Sequence, residues 1–293
     1  MLSEFETTAH GKWILAGEHA VIRGHSALVF PVASKKLTLN YYPSTSDLGA
    51  NYSGESGADL HLLFWSVLEH GMHLLGRSIN TLNGQFTLHS NIPVGVGMGA
   101  SAALCVATAR WFLAQELIEQ QNLQFFATQL ENLFHGKSSG LDIAGVAATK
   151  GILFKKGQST PLKQAWQPHW YLSSCGQMGM TSHCINQVQS IWSKDPQLGQ
   201  QLDQQMDDSV HQAREALEHD SPHAREILAD AITLAGDCFH QWGLVSESLQ
   251  QHMLMLKNAG AIAVKPTGSG GGGFVVSLWD KQVQPDELGM ITI

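Results

Sequence analysis

The pattern of apolar and polar residues along the chain predicts a mixed order of strands and helices. In the first half, apolar or alternating runs predict strands at 12–16, 27–33, 37–41 and 85–89. Apolar positions at helical spacing predict the helices at 58–75, 102–114, 123–134 and 141–149. No internal repeat interrupts this order, so the pattern favours a single mixed α/β (α+β) architecture.

The composition of the chain changes after residues 151–154. Turn residues at 157–161 and 167–168 indicate a boundary near residue 165. We therefore predict two domains, at 1–165 and 166–293. The second begins with a predicted strand at 170–174, continues through polar amphipathic helices, of which 244–257 is the clearest, and ends in a glycine-rich strand–turn–strand element.

Length and charge limit the classes of protein that the chain resembles. Its 293 residues are enough for one large or two moderate domains. A net charge of −8 argues against a general nucleic-acid surface, so no nucleic-acid partner is expected. The longest apolar run is shorter than the roughly 20 residues of a membrane span, and residues 1–6 lack the pattern of a signal peptide. The four cysteines lack metal-ligand spacing and fit a reducing cytoplasm, and the fifteen histidines are expected at the surface.

The segment Pro93–Ala103 is the clearest chemical signal. Gly95, Gly97 and Gly99 alternate before a small hydroxyl residue, Ser101, and a long apolar run. Glycine allows tight turns and close approach to a ligand, and free N–H groups at a helix start favour phosphate. The segment lacks the lysine of a Walker loop, and its match to the dinucleotide fingerprint lacks the following strand and acidic residue. A nucleotide site is predicted, with a close helix-packing turn as the alternative.

Charged residues elsewhere supply the groups that phosphoryl transfer needs. Lys12 opens a predicted strand, and Glu18 and His19 follow the glycine turn after it. Glu131 lies in the last turn of a predicted helix, and Asp142 in the first turn of the next. Two carboxylates could serve as a Mg²⁺ ligand and as a base that accepts a hydroxyl proton. The spacing Ser-x-x-Asp leaves open a structural role for Asp142 in a variant capping box.

A second glycine cluster lies near the end of the chain. Consecutive glycines at 270–273 follow Thr267, Gly268 and Ser269. Because glycine weakens strands, the cluster indicates backbone packed against a ligand or against the first glycine loop. A flexible loop is the alternative, although the apolar residues 274–276 that follow favour an ordered position.

Four segments, in order, resemble the motifs of the mevalonate-kinase family within the GHMP kinase superfamily. They are Gly11–Ala27 with Gly-Glu-His-Ala-Val at its centre, Pro93–Ala103, His135–Asp142 with the pattern His-Gly-x-x-Ser-Gly-x-Asp, and Lys265–Gly273. They cover the chain from about residue 10 to residue 280. The resemblance implies a GHMP kinase fold, with an N-terminal domain related to the second domain of ribosomal protein S5 and a ferredoxin-like C-terminal domain.

The resemblance also implies a function and residue roles. It implies transfer of phosphate from ATP to the 5-hydroxyl of mevalonate, with Asp142 as base and Lys12 stabilising the alkoxide. Ser101 and Glu131 would bind Mg²⁺. The implied nucleotide loop is Gly95, Gly97, Gly99, Ala100, Ser101 and Ala102, and the implied substrate residues are Glu18, His19 and Thr181. The implied partners are a small-molecule substrate and ATP, with no membrane, and a homodimer remains an alternative to a monomer.

Three positions depart from the family pattern. Ala100 stands where the family usually has a serine. Ser138 replaces a usual proline, which predicts a looser turn before Asp142. The segment 176–179 is Gly-Gln-Met-Gly where the family is often basic. Either another cation serves the substrate carboxylate, with Arg23 and Lys137 as candidates and exposed solvated charges as the alternative for both, or the substrate differs. Another GHMP activity on a different alcohol or sugar, or a non-catalytic nucleotide-binding protein, are the alternatives.

Overall fold

The computed structural model describes residues 2–136 and 138–293, which divide into two compact units. Among the described residues, the first unit contains 2–12, 31–94, 98–136 and 138–149, and the second contains 13–30, 95–97 and 150–293. Two strands, β1 (Phe5–Ala16) and β2 (Ala27–Asp47), contribute residues to both units. The division predicted at residue 165 stays a prediction.

In the first unit, long strands carry the apolar face predicted by the alternating residues. Leu37–Asp47 of β2 pairs antiparallel with β4 (Asn83–Ser90), and β3 (Gly49–Ser53) pairs parallel with β4. Phe86 of β4 packs on Trp111 at 5.1 Å and on Phe64 at 5.0 Å between ring centroids. These rings form the apolar core on which the site-bearing helices of this unit rest.

Four helices complete the first unit, and their bounds are α1 (Leu60–Leu74), α2 (Ala100–Ala114), α3 (Leu123–His135) and α4 (Leu141–Ala147). α2 is buried along most of its length, as its apolar run predicts. Gly71 of α1 permits close packing, because a Cβ there would lie 2.7 Å from the Phe112 ring. Gly71 therefore lets α1 approach the C-terminal part of α2 closely.

The second unit contains two groups of strands. Ala27–Val29 of β2 pairs with β5 (Ile152–Lys155), and β5 pairs with β6 (Gln158–Pro161), both antiparallel. A separate four-stranded antiparallel sheet has the order β10-β7-β9-β8. Its strands are β7 (His169–Ser174), β8 (Ala261–Thr267), β9 (Phe274–Trp279) and β10 (Met290–Thr292). Counted within this sheet the order is 4-1-3-2, the ferredoxin-like arrangement implied by the resemblance.

Four helices separate β7 from β8 in this unit, and their bounds are α5 (Thr181–Lys194), α6 (Pro196–Glu218), α7 (Ala224–Gln241) and α8 (Glu247–Asn258). Leu249, Met253 and Leu256 of α8 pack on Val275 and Trp279 of β9 in a buried cluster. The helix predicted at 244–257 is thus present but begins later, where the Ser246 hydroxyl accepts from the Leu249 N–H.

The predicted mixed fold is confirmed, and the differences concern strand lengths. β1 and β2 extend well beyond the predicted 12–16 and 27–33, and β3 was not predicted. The β3 sequence Gly-Ala-Asn-Tyr-Ser has no apolar alternation, so its pairing with β4 is a tertiary effect. None of the helices found in residues 2–136 and 138–293 combines the length and apolar character that a membrane span requires.

Candidate active site

The predicted phosphate loop leads into α2 as the glycine pattern requires. Gly95, Gly97 and Gly99 all have positive φ, at 79°, 82° and 81°. Gly99 is also required sterically, because a Cβ there would lie 2.9 Å from Val146 Cγ1 and 3.0 Å from Lys12 Cγ. Gly99 is the N-cap of α2 and receives no side-chain cap. The first N–H groups of α2, which belong to Ala100, Ser101 and Ala102, therefore have no helical carbonyl to bind.

Lys12 and Asp142 form the central ion pair of the first unit. Lys12 Nζ lies 2.9 Å from Asp142 Oδ1, and the lysine side chain is 2% exposed whereas the aspartate is 36% exposed. The Lys12 N–H also donates to the Met98 carbonyl at 2.9 Å, which joins β1 to the glycine loop. The arrangement places a cation and an accessible carboxylate beside the residue that begins α2.

The capping-box alternative for Asp142 is wrong. α4 begins at Leu141, and its N-cap is Gly140, with φ of 80° and no side-chain cap. Ser139 Oγ accepts instead from the Leu141 N–H at 3.3 Å. Asp142 lies in the first turn of α4, and its carboxylate pairs with Lys12. Its carboxylate is thus oriented by a charge.

Glu131 brings a second carboxylate to this region from α3. The side chain is 1% exposed, and its Oε1 is buried without a hydrogen-bond partner among the residues that the structure describes. Burial and, to a smaller extent, the negative charge of Asp142 raise the pKa of Glu131 to about 7, against the opposing effects of the Ser138 hydroxyl and Lys12. A buried carboxylate oxygen with no partner is suited to a hard cation. The Mg²⁺ expected from the sequence fits this residue.

The turn between α3 and α4 is held by hydrogen bonds from Ser138. Its hydroxyl donates to Glu131 Oε2, and its backbone N–H donates to Asn132 Oδ1 at 2.8 Å. The same hydroxyl oxygen accepts from the Gly140 N–H at 3.0 Å. The prediction that Ser138 loosens this turn is therefore wrong. Lys137, the sequence candidate for a substrate cation, lies outside the described residues.

A second lysine–carboxylate pair lies in the second unit. Lys265 Nζ is 2.6 Å from Glu18 Oε1, with side chains 0% and 2% exposed. Lys265 also donates to the Ile14 carbonyl at 3.3 Å, as does the Thr267 hydroxyl at 2.9 Å. Burial raises the pKa of Glu18 and lowers that of Lys265, and each is opposed by the charge of the other. The pair fixes Glu18 at the end of β1.

His19 adopts a strained backbone within the same turn. Its φ is 59° and its ψ is −46°, which a non-glycine residue rarely adopts. Its Nε2 lies 2.9 Å from the Ser269 carbonyl oxygen, and the ring packs edge-on to Trp242. Burial lowers the pKa of His19 to about 4, so the ring is neutral at pH 7. Because a carbonyl only accepts, Nε2 carries the proton, and Nδ1 is left as an acceptor.

The glycine cluster near the end of the chain is ordered within the second unit. The Gly271 N–H donates to the Leu244 carbonyl and the Gly273 N–H to the Gln177 carbonyl, both at 2.7 Å. A Cβ at Gly272 would lie 2.7 Å from that Gln177 oxygen. Thr181, at the start of α5, has its hydroxyl 3.3 Å from Ser269 Oγ. The backbone is packed closely, as predicted, and the flexible-loop alternative fails.

Arg23 forms an ion pair that the sequence analysis did not predict. Its guanidinium forms a bidentate pair with Asp203 of α6 and lies over the Trp192 ring at 5.1 Å. Asp203 is 1% exposed, so the pair neutralises a buried carboxylate. The expectation that Arg23 binds a substrate carboxylate is therefore wrong for this conformation. The buried Asp203 and Asp207, one helical turn apart on polar α6, were the signal available in the sequence.

The predicted site residues thus fall into two sets. The first unit brings together Lys12, Gly99, Glu131 and Asp142, with Ser101 in the first turn of α2. The second unit holds Glu18, His19 and Thr181, together with Gly95 and Gly97. Sequence reasoning missed Asp203 and the hydrogen bonds of Ser138.

Comparison with known proteins agrees with this geometry. Residues 63–151 match the family model of the GHMP kinases N terminal domain. The mevalonate kinase of Pyrococcus horikoshii is 25% identical over an alignment of 297 positions, gaps included. The alignment covers 92% of this chain and 87% of that protein. The mevalonate kinase of Archaeoglobus fulgidus is 25% identical, and the match covers 97% of this chain and 98% of that protein. A crystal structure of L. major mevalonate kinase in complex with R-mevalonate has a TM-score of 0.80 at 22% identity, covering 97% of this chain and 90% of that one, which shows a shared fold.

Proposed function

We propose that this chain, which belongs to the GHMP kinase superfamily, is a mevalonate kinase that transfers the γ-phosphate of ATP to the 5-hydroxyl of mevalonate. The observation that carries the proposal is the Lys12–Asp142 pair, 2.9 Å apart beside the glycine loop, with the carboxylate open to solvent. The curated relatives that match over most of the chain are mevalonate kinases, which supports the choice of substrate.

Asp142 and Lys12 have complementary roles in this reaction. The substrate hydroxyl oxygen forms a bond to the γ-phosphorus, the bond from that phosphorus to the β-phosphate oxygen breaks, and ADP leaves. Asp142 accepts the hydroxyl proton as the new bond forms. Lys12 is almost fully buried, so its charge acts in a low dielectric and stabilises negative charge on the attacking oxygen.

The start of α2 is assigned to the ATP phosphates. The N–H groups of Ala100, Ser101 and Ala102 and the positive end of the helix dipole favour a negatively charged ligand. Gly95, Gly97 and Gly99 have positive φ and no side chain, so the backbone at these three positions can approach a phosphate closely. Adenine recognition is not assigned to particular residues.

Glu131 and Ser101 are assigned to Mg²⁺. The buried Oε1 of Glu131, which has no partner in the described part of the chain, is the observation that supports this assignment. Bound Mg²⁺ supplies positive charge against the phosphate oxygens. Ser101 adds a neutral oxygen from the first turn of α2.

Glu18, His19 and Thr181 are assigned to the substrate. Neutral His19 can accept a hydrogen bond at Nδ1, because its Nε2 proton is used by the Ser269 carbonyl. Glu18 is held by Lys265, so its charge is already compensated. The strained backbone at His19 is typical of a functional position.

The deciding experiment is a substrate panel with Mg²⁺-ATP. ADP release is measured with mevalonate, phosphomevalonate, galactose and homoserine, and we expect turnover only with mevalonate. Turnover with another alcohol or sugar would replace the substrate assignment and keep the kinase. Absence of turnover with every substrate, together with ATP binding, would support a non-catalytic nucleotide-binding protein.

We also infer a cytoplasmic enzyme, because all four cysteines are free, which suits a reducing compartment. Light scattering on the protein as it elutes from a size-exclusion column measures its mass and distinguishes a monomer from a homodimer.

A further inference from the structure

We propose that Ser138 is a positioning residue, which orients the Glu131 carboxylate for metal binding and joins it to the turn before Asp142. This inference rests on the proposed function, because that function assigns Glu131 to Mg²⁺. No role for Ser138 follows from the roles already assigned to Lys12, Asp142 and Ser101.

The hydroxyl of Ser138 both donates and accepts a hydrogen bond. It donates to Glu131 Oε2 and accepts from the Gly140 N–H at 3.0 Å. A hydroxyl has one proton and two lone pairs, so both bonds form at once. Gly140 immediately precedes α4, whose first turn carries Asp142. A single oxygen atom therefore connects the carboxylate on α3 to the helix that carries the proposed base.

The bond leaves the metal-binding capacity of Glu131 intact. Ser138 occupies Oε2, whereas Oε1 is buried and has no partner among the described residues. A glutamate side chain has three rotatable bonds, and a hydrogen bond to one oxygen fixes the direction of the other. Partners of this kind orient metal-ligating carboxylates and contribute to metal affinity.

A role confined to the turn would not need the bond to Glu131. The Gly140 N–H bond and the bond from the Ser138 N–H to Asn132 Oδ1 already hold the backbone. The two roles differ in what they predict. Loss of the hydroxyl should change metal affinity if Ser138 orients Glu131, and only stability if it serves the turn.

The side chains at 138 can be varied in steps. Ser138→Ala removes the hydroxyl and keeps the N–H, and Ser138→Thr keeps both. Ser138→Cys keeps the shape with a weaker donor. Thr128→Ala is the matched control, because Thr128 lies on the same helix and its hydroxyl donates to the Gln124 carbonyl.

The measurement is Mn²⁺ binding in the presence of ADP, followed by electron paramagnetic resonance without turnover. We expect Ser138→Ala to weaken Mn²⁺ affinity about tenfold, Ser138→Cys to give a smaller loss, and Ser138→Thr to stay within about twofold of the wild type. Thr128→Ala should match the wild type. Wild-type Mn²⁺ affinity in both Ser138→Ala and Ser138→Cys, with or without a lower Tm, would overturn the inference.

Glu131→Gln separates this inference from the proposed function. If that variant keeps wild-type Mn²⁺ affinity, the metal assignment fails and the role of Ser138 fails with it. If Glu131→Gln loses affinity and Ser138→Ala does not, only the present inference fails. Ser138→Ala added to Glu131→Gln should cause little further loss, since the two residues act through one hydrogen bond.

Discussion

Two lysine–carboxylate pairs, one in each unit, differ in what burial leaves accessible. Asp142, paired with Lys12, is 36% exposed, whereas Glu18, paired with Lys265, is 2% exposed. The open pair has a carboxylate that a reactant can reach from solvent. In the closed pair both side chains are buried, and Lys265 donates to the Ile14 carbonyl and to Glu18 Oε1. In the proposed function the open pair supplies the reacting groups, whereas in the closed pair Lys265 holds Glu18 and compensates its charge.

Physical chemistry makes this difference testable. Exposed ion pairs contribute little to stability, because water screens them and can replace either partner. Removal of one partner from a buried pair leaves a charge without compensation and is strongly destabilising. Substitutions in the open pair should therefore change turnover, and substitutions in the closed pair should change unfolding.

Asp142→Asn should have the largest effect on activity. The amide keeps the shape of the side chain and cannot accept the hydroxyl proton, so we expect kcat to fall about 10²–10⁴-fold. Because Lys12 is only 2% exposed and loses its counter-charge, the Tm should fall as well. The measurements are steady-state kinetics with mevalonate and a thermal melt.

Asp220→Asn, at an exposed position of the second unit, is the control for removal of one negative charge. It should leave both kcat and Tm unchanged. If Asp142→Asn retained more than about a tenth of the wild-type kcat, Asp142 would not be the base.

Lys265→Met should have the largest effect on stability. It leaves Glu18 buried without its cation, and we expect the free energy of unfolding to fall by about 3–5 kcal/mol. Denaturation by urea measures this, with the exposed Lys257→Met as control. Glu18→Leu added to Lys265→Met should restore much of the loss, since an apolar pair has no charge to compensate. A loss below about 1 kcal/mol in the single variant would show that the pair is not closed.

The sequence predicted the backbone conformation of single residues better than it predicted which charged residues pair. Gly95, Gly97 and Gly99 were identified because a positive φ is encoded at the residue itself. Lys12 and Asp142 are 130 positions apart in the chain, and spacing alone left the role of Asp142 open, so their association came from the family resemblance. The pairing of two residues that are distant in sequence depends on the strands and helices that carry them.

Burial was the property that the sequence could not supply. Lys265 was visible only as the first residue of a motif, although it is fully buried and bound to Glu18. Ser138 was expected to loosen a turn. Its hydrogen bond to Glu131 depends on where α3 ends, and the sequence did not show this. Arg23 was treated as a free cation because the burial of its partner Asp203 was not visible in the sequence either.

Arg23→Gln tests a pair of intermediate exposure. Arg23 is 25% exposed and its partner Asp203 is 1% exposed, so the pair resembles the closed type more than the open one. Hydrogen bonds to charged groups contribute about 1.5–3 kcal/mol, and we expect a loss of stability in that range. The KM for mevalonate should change less than about threefold, because the guanidinium is already engaged. Kinetics and urea denaturation measure the two effects.

Arg225→Gln is the matched control for this variant. Arg225 pairs with Asp280, and both side chains are largely exposed, so its stability should stay within about 0.5 kcal/mol of the wild type. A tenfold rise in KM for mevalonate in Arg23→Gln would instead return Arg23 to the substrate and require its release from Asp203.

Glu131, which lies near the open pair, is expected to make the stability of the protein depend on pH. This effect is smaller than those above. Its pKa is raised from 4.5 to about 7, first by burial and then by the charge of Asp142. Between these values the folded protein holds a proton that the unfolded chain has released, so stability falls as pH rises through this window. In the absence of metal we expect a loss on the order of 2 kcal/mol, measured by urea denaturation at several pH values.

Glu131→Gln should flatten this pH dependence, because the amide does not titrate, whereas the exposed control Glu69→Gln should leave it unchanged. Asp142→Asn should shift the fall in stability to lower pH, since it removes the negative charge that helps to raise the pKa of Glu131. That shift would show that the two carboxylates interact within the first unit. Identical pH profiles in the wild type and Asp142→Asn would mean that burial alone sets the pKa of Glu131, and that the open pair acts independently of it.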